Sequence, residues 1–361
     1  MPQKGITDAF IGLVRLGIGA DVSGFPGIDS QHQWDALQAL ATEQGLSAIV
    51  VDGLEKLPAD QKPPKTVLLQ WIGEVLQNES VNAVQQKTAA EMALLFKDNN
   101  IRTYVLKGAV VAECYPKPEH RSSADMDCFL LPDKGGFDAW NLGNSLMRSN
   151  GFEVKTNFYK NSTFYLPGLT VENHQFMTPF RGNKKLAEFE KILQTLIRGD
   201  KGENRFEGVW LYRPPVMVTA LFLVEHAYSH FLHEGLTWRH VLDWMMFSRK
   251  YHSEIDWTEL MACVDEFGFR KFYDSYERLG RYLLGEIQED ELTEKDQMMH
   301  ADVWAPLDLH ESDHGLKGKL ALAGNTWKAR WKYRLFADIS MAHALWIQVK
   351  GVLFIKNPTL D

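Results

Sequence analysis

Hydrophobic and polar positions change period twice along the chain. Over the first hundred residues the apolar positions recur at helical spacing. In residues 31–46, Trp34, Leu37, Leu40 and Ala41 share one helical face. A Pro/Lys linker at residues 57–65 is followed by a helical stretch from about residue 66 to 99, rich in Ala, Leu, Gln and Glu. At Ile101 the pattern shortens. Residues 102–106 read as a strand, residues 107–115 as a short helix opened by Gly108, and residues 125–132 as a buried strand ended by Pro132. Residues 137–152 read as a helix closed by Gly151, and strands are predicted at 152–159, 163–167 and 169–176. From Leu186 the chain reads as mostly helical, punctuated at Arg213-Pro214-Pro215, Gly235 and Ala305-Pro306. The expected class is therefore α+β: a small mixed-sheet core at 100–200 between helical regions at 1–99 and 201–361.

Length and composition fit that picture. The chain has 361 residues, 45% hydrophobic and 24% charged, with a formal net charge of −8. No stretch reaches the roughly 18 uninterrupted apolar residues of a membrane span. Residues 1–21 carry Asp8 and Arg15 inside their apolar run and read as an amphipathic helix rather than a signal peptide, so the cytoplasm is the expected location. Cys114, Cys128 and Cys263 are scattered, with no CxxC pair, which points neither to a disulfide framework nor to a zinc ribbon. The acidic balance disfavours a nucleic-acid-coating role, although it leaves room for a local basic patch.

The chemistry is concentrated at Asp125-Met126-Asp127. A period of two puts both carboxylates on one face of the strand, roughly 6–7 Å apart at Cα. Carboxylates so placed can share a divalent cation or bracket two, as phosphoryl-transfer sites require, and Mg²⁺ suits oxygen ligands. The competing reading is a solvated turn leading into a strand. Upstream stands Leu106-Lys107-Gly108, a strand end, then a glycine that lets the backbone approach a ligand, then a helix start whose free N–H groups favour anions. Lys107 could add a point charge to a phosphate. Such a turn is also ordinary connection chemistry, and its weight comes from the DxD that follows.

Together these residues resemble the bacterial "uncharacterised nucleotidyltransferase" group of the DNA polymerase β-like superfamily. The pattern is Leu106-Lys107-Gly108, Tyr115-Pro116, Arg121 four residues before the first aspartate, and Asp125-x-Asp127 before an apolar run. The helical part is similar too, with Glu225-His226, Gly235-Leu236 and Arg239 four residues before Asp243. The resemblance spans about residues 100–250. It implies a transfer of a nucleotidyl group from a nucleoside triphosphate, with Mg²⁺ or Mn²⁺ held by Asp125, Asp127 and a third carboxylate, Glu172, from a later strand. Lys107, Gly108, Arg121 and Arg239 would meet the nucleotide, with His226 and Asp243 behind them. Asp243 would orient His226 or Arg239, or pair with Arg239 as a plain salt bridge. Ala109 departs from the superfamily's usual Ser or Gly, so a hydroxyl contact to phosphate is missing. The acceptor is open: a small molecule, a protein or RNA, with the negative charge favouring the first two. Two other readings remain, a catalytically inactive nucleotide-binding module and a metal-dependent phosphohydrolase built on the histidine-rich helix.

That helix carries His226 and His230 at i,i+4, a spacing that can bind a transition metal and that also occurs in packed cores. His310-Glu311-Ser312-Asp313-His314 spells HExxH in a polar stretch between Pro306 and Gly315, and reads as a chance match in a loop. Between Trp327 and Lys356 six basic residues and one acid intersperse with aromatics. This could be a nucleic-acid surface, a membrane-interface element, or aromatics packed inward with Lys and Arg outward.

Overall fold

The computed structural model describes residues 2–20, 22, 24–157, 159–305, 329–354 and 360. The chain begins with helices α1 (Lys4–Gly17), α2 (Gln31–Glu43), α3 (Ser47–Lys56) and α4 (Lys65–Asp98). Strand β1 (Ile101–Val105), the one-turn helix α5 (Ala109–Ala112), β2 (Asp125–Pro132), α6 (Ala139–Ser149), β3 (Glu153–Asn157), β4 (Asn161–Leu166) and β5 (Leu169–His174) follow. Then come α7 (Lys184–Gly199), β6 (Leu211–Tyr212), α8 (Val216–His233), α9 (Trp238–Lys250), α10 (Trp257–Glu266), α11 (Arg270–Leu283) and α12 (Glu294–Val303). Beyond the gap lie α13 (Arg330–Phe336) and α14 (Met341–Phe354).

The α+β expectation holds, and the five anticipated strands all form. The sheet has a sixth, β6, inside the region read as helical. Two residues are too short to show any period. The order is β3-β4-β5-β2-β1-β6. β2 runs parallel to β5 and antiparallel to β1, and β6 is parallel to β1. β2 is thus central, and both its faces are covered.

Alternation along β2 decides which side holds the chemistry. Met126, Cys128 and Leu130 join Val171 and Phe164 in a core beneath the second half of α4 and α6. Phe129 and Leu131 point the other way, into the larger core shared with α7, α8 and α9. Asp125 and Asp127 have the parity of Phe129, so they face the C-terminal helices. Cys128 is core as its strand position suggests, and all three cysteines are free and buried.

The N-terminal helices fold as their apolar pattern requires. Trp34, Leu37, Leu40 and Ala41 are the buried residues of α2, whose start is closed by a capping box between Ser30 and Gln33. α1 and α3 cross with backbones nearly touching. A methyl at Gly17 would strike the carbonyl of Ile49, and one at Gly53 that of Leu13. Because the obstacle is backbone on both sides, no side chain can move aside. Gly53→Ala is expected to destabilise the protein by about 1–3 kcal/mol, read as a lowered urea midpoint; an unchanged midpoint would contradict this packing.

At the other end, Tyr333 and Phe336 of α13 are buried, and Phe336 packs against Phe231 at 4.9 Å between ring centroids. Lys332 turns inward rather than outward, donating to the Phe231 carbonyl at 2.8 Å and pairing with Asp302 at 2.7 Å. Trp346, by contrast, is 63% exposed. Trp327 and the HExxH letters at 310–314 lie outside the described residues.

Candidate active site

Strand pairing assembles the carboxylates. The parallel register places Asp127 opposite Glu172 and Phe129 opposite His174. Asp127, Glu172 and His174 therefore project from one face, and their ligand atoms lie within 4.8 Å of one another. Asp127 is 2% exposed. His174 Nε2 lies 2.9 Å from its Oδ1 and 3.6 Å from Glu172 Oε2, while His174 Nδ1 faces the Phe176 carbonyl at 3.3 Å. Glu172 is held in turn by the Asn161 amide at 2.7 Å.

β1 delivers the counter-charge. The Leu106 N–H continues the ladder onto the Asp127 carbonyl at 2.9 Å, which leaves Lys107 beside Asp127 at the strand's end. Lys107 Nζ sits 3.1 Å from Asp127 Oδ2 and donates to His226 Nε2, also at 3.1 Å. Burial alone would raise the Asp127 pKa; Lys107 and His174 more than offset it and hold the carboxyl well below the usual range. Even so, Oδ2 has no aligned hydrogen-bond donor despite its nearness to Nζ. Lys107 thus neutralises Oδ2 without filling its hydrogen-bonding directions, which leaves room for a second cation on the same carboxylate.

Gly108 follows with φ 68°, a conformation that favours glycine, and turns the chain into α5. The space beside it is filled by Ser123 Oγ and Arg121 Nη1, 3.3 and 3.8 Å from where a Cβ would stand. A hydroxyl thus stands at this turn, contributed by Ser123 rather than by residue 109. It accepts from Arg121 Nη1 at 3.2 Å and donates to the Asp125 carbonyl at 2.9 Å.

Arg121 is not a free clamp. It is buried and forks onto Asp243, with Nε to Oδ1 at 3.1 Å and Nη2 to Oδ2 at 2.6 Å. Tyr115 Oη donates to the same carboxylate at 2.7 Å. Asp243 therefore serves Arg121 and Tyr115, where the sequence suggested His226 or Arg239. The turn before Arg121 is pinned by His120, whose ring nitrogens meet Asp52 at 2.7 Å and Glu79 at 2.8 Å. Those carboxylates, Asp52 first, raise the His120 pKa against its burial.

Arg239 is freer. Its hydrogen bond goes to the Ser122 carbonyl at 3.3 Å, and burial together with nearby Arg121 lowers its pKa. A desolvated guanidinium whose partner is neutral is well suited to a phosphate. One cavity gathers these groups, with Lys107, Arg121, Ser123, Asp125, His226, Arg239, His240 and Asp243 among its walls. Asp125 stands at the mouth of β2, half-buried and apart from the Asp127–Glu172–His174 cluster.

The family model of uncharacterised nucleotidyltransferases matches residues 30–285, which include every residue of this cavity. The chain belongs to that family. This nucleotidyltransferase matches no curated protein and no solved structure. Membership makes it a transferase of nucleotidyl groups, and the matched span reaches back to α2, well before the core recognised from sequence.

Two neighbours of the nucleotidyltransferase's carboxylates were missed in the sequence. His174 lies two residues after Glu172, so the argument that pairs Asp125 with Asp127 also puts His174 on the Glu172 face. Ser123 had no such signal, because only the fold of the turn brings it to Gly108.

Proposed function

We propose that this enzyme moves a nucleotidyl group from a nucleoside triphosphate to an acceptor hydroxyl, using a divalent cation held by Asp127 and Glu172, with Asp125, on the same strand face, joining only once the ion and nucleotide are bound. The observation that carries this reading is the side-by-side placement of Asp127 and Glu172 on parallel strands, tied to the cavity through Lys107. Asp127 there keeps one buried oxygen without an aligned donor. Mg²⁺ or Mn²⁺ suits the carboxylate oxygens. When bound, such an ion neutralises charge developing on phosphoryl oxygens.

The protein's own groups take the remaining roles. Arg239 and Lys107 hold phosphate oxygens, Gly108 lets the backbone come close, and Arg121 shapes the wall from its fixed fork. The acceptor oxygen attacks the α-phosphorus, the bond to pyrophosphate breaks, and Glu172, 33% exposed at its side chain, takes the acceptor's proton. His174 orients Asp127. The acceptor is a small molecule or a protein in preference to RNA, in keeping with the net charge of −8.

The test is incubation of purified protein with each labelled triphosphate, Mg²⁺ or Mn²⁺, and a cell extract supplying acceptors. Asp125→Asn/Asp127→Asn protein runs alongside. Label transferred by wild type alone is the expected result. Metal-dependent nucleotide binding without turnover would replace it with a binding-module reading.

A further inference from the structure

Behind the cavity stands a second cluster that the transfer chemistry does not use. His226 and His230 come from successive turns of α8, and His240 comes from the first turn of α9. Their ring centroids lie 4.4, 5.0 and 6.4 Å apart, and one nitrogen of each falls within 4.8 Å of the other two. We propose that His226, His230 and His240 form a second metal site, for a first-row transition ion such as Zn²⁺, with its open coordination position toward the cavity.

The convergence of three imidazole nitrogens from two helices carries the argument. His230 Nδ1 lies 3.0 Å from the Glu234 carboxylate, which favours the tautomer with its proton there and a lone pair on Nε2. This is the carboxylate–histidine arrangement that orients metal ligands. His226 Nε2 also presents a lone pair, since Lys107 donates to it. His240 Nδ1 lies 2.9 Å from Thr237 Oγ1, and ligation through Nε2 takes the tautomer in which Nδ1 donates to that hydroxyl. The Thr237 N–H, at 3.1 Å from the same nitrogen, favours the other tautomer. A bound ion selects between them.

Burial, reinforced by neighbouring cationic groups, pushes His226 and His240 well below the ordinary histidine pKa. A neutral imidazole is the form that ligates metals. Three imidazole nitrogens then converge with a single ammonium, Lys107, reaching one of them.

The donor set separates this site from the carboxylate one. Imidazoles suit Zn²⁺ and its neighbours, and oxygen ligands suit Mg²⁺. Three protein ligands with an open fourth position is the arrangement of reactive zinc sites. His226 and His240 line the same cavity as Asp125 and Arg239, so the open position faces whatever anion occupies it. Lys107 keeps Asp127 and yields His226 to the ion.

The experiment is Co²⁺ titration of the metal-stripped full chain in saturating Mg²⁺, read by the visible d–d absorption, with Zn²⁺ as competitor. Wild type and Asp127→Asn should each show an intense band of low-coordinate Co²⁺ at one equivalent, erased by Zn²⁺. His230→Ala should lose it. Glu234→Gln, altered only at the helix end, should keep the band with affinity reduced about 10–100-fold. The proposal is overturned if wild type shows no such band, or if the band disappears in Asp127→Asn and survives in His230→Ala. None of these readouts depends on turnover, so the transferase reading stands or falls separately.

Discussion

Asp127→Asn should leave a folded protein whose kcat/KM for nucleotidyl transfer has dropped at least about 10²–10³-fold, the scale of losing one preorganised electrostatic group. The amide keeps the shape and removes the charge. Asp127 is the carboxylate on which Lys107, His174 and the neighbouring Glu172 converge. Its loss therefore removes the proposed cation ligand and leaves Lys107 without its anionic partner. Metal titration separates these effects: the variant should need far more Mn²⁺ for any residual turnover, whereas a purely structural defect would alter the urea midpoint and leave the metal dependence alone. Acid should mimic the substitution only at extremes. A carboxyl held below its unfolded pKa contributes stability above that unfolded value, and the contribution is lost as pH falls through the lower folded one. Undiminished transfer by Asp127→Asn would end the proposed mechanism.

Asp243→Ala is expected to be the most destabilising change in the site, by about 3–5 kcal/mol, because it strands a buried guanidinium. Arg121 and Asp243 are both buried, and their fork is joined by the Tyr115 hydroxyl. Removing the acid leaves a charge and a phenol without their acceptor. The double variant Arg121→Met/Asp243→Leu should recover much of the loss, since it removes charge from both sides. Urea unfolding of Arg121→Met, Asp243→Leu and the double gives the coupling directly. A single Asp243→Ala variant as stable as wild type would mean that the fork contributes nothing to holding α9 against the Arg121 turn. Activity should fall in every one of these variants, because that fork sets the cavity wall.

Much of the sheet was legible because its signals are local. β2 announces itself by an apolar run ended by Pro132, and α6 by a helical pattern closed at Gly151, φ 85°. Trp34, Leu37, Leu40 and Ala41 could be named as a buried face from spacing alone. β6 was not legible: Leu211 and Tyr212 are a strand only because β1 offers them an open edge. The roles of charged residues were harder still. Arg239 and Asp243 stand at i,i+4 and suggest a local pair, yet Asp243 is claimed by Arg121, 122 residues away in sequence. Helical spacing fixes which groups can meet, and burial of a better-matched fork elsewhere decides which do.

The sequence by itself determined the class of the fold, the strand bearing Asp125 and Asp127, the glycine turn after Lys107, and the family resemblance. Period, turn chemistry and short motifs are encoded within a few residues of one another. Only the tertiary structure decided that Glu172 and His174 stand beside Asp127, that Ser123 brings a hydroxyl to Gly108, and that Lys107 spans from Asp127 to His226. It also brought His240 to the pair on α8. Each of these depends on strand register or helix packing between segments far apart in the chain, where no local pattern specifies the partner.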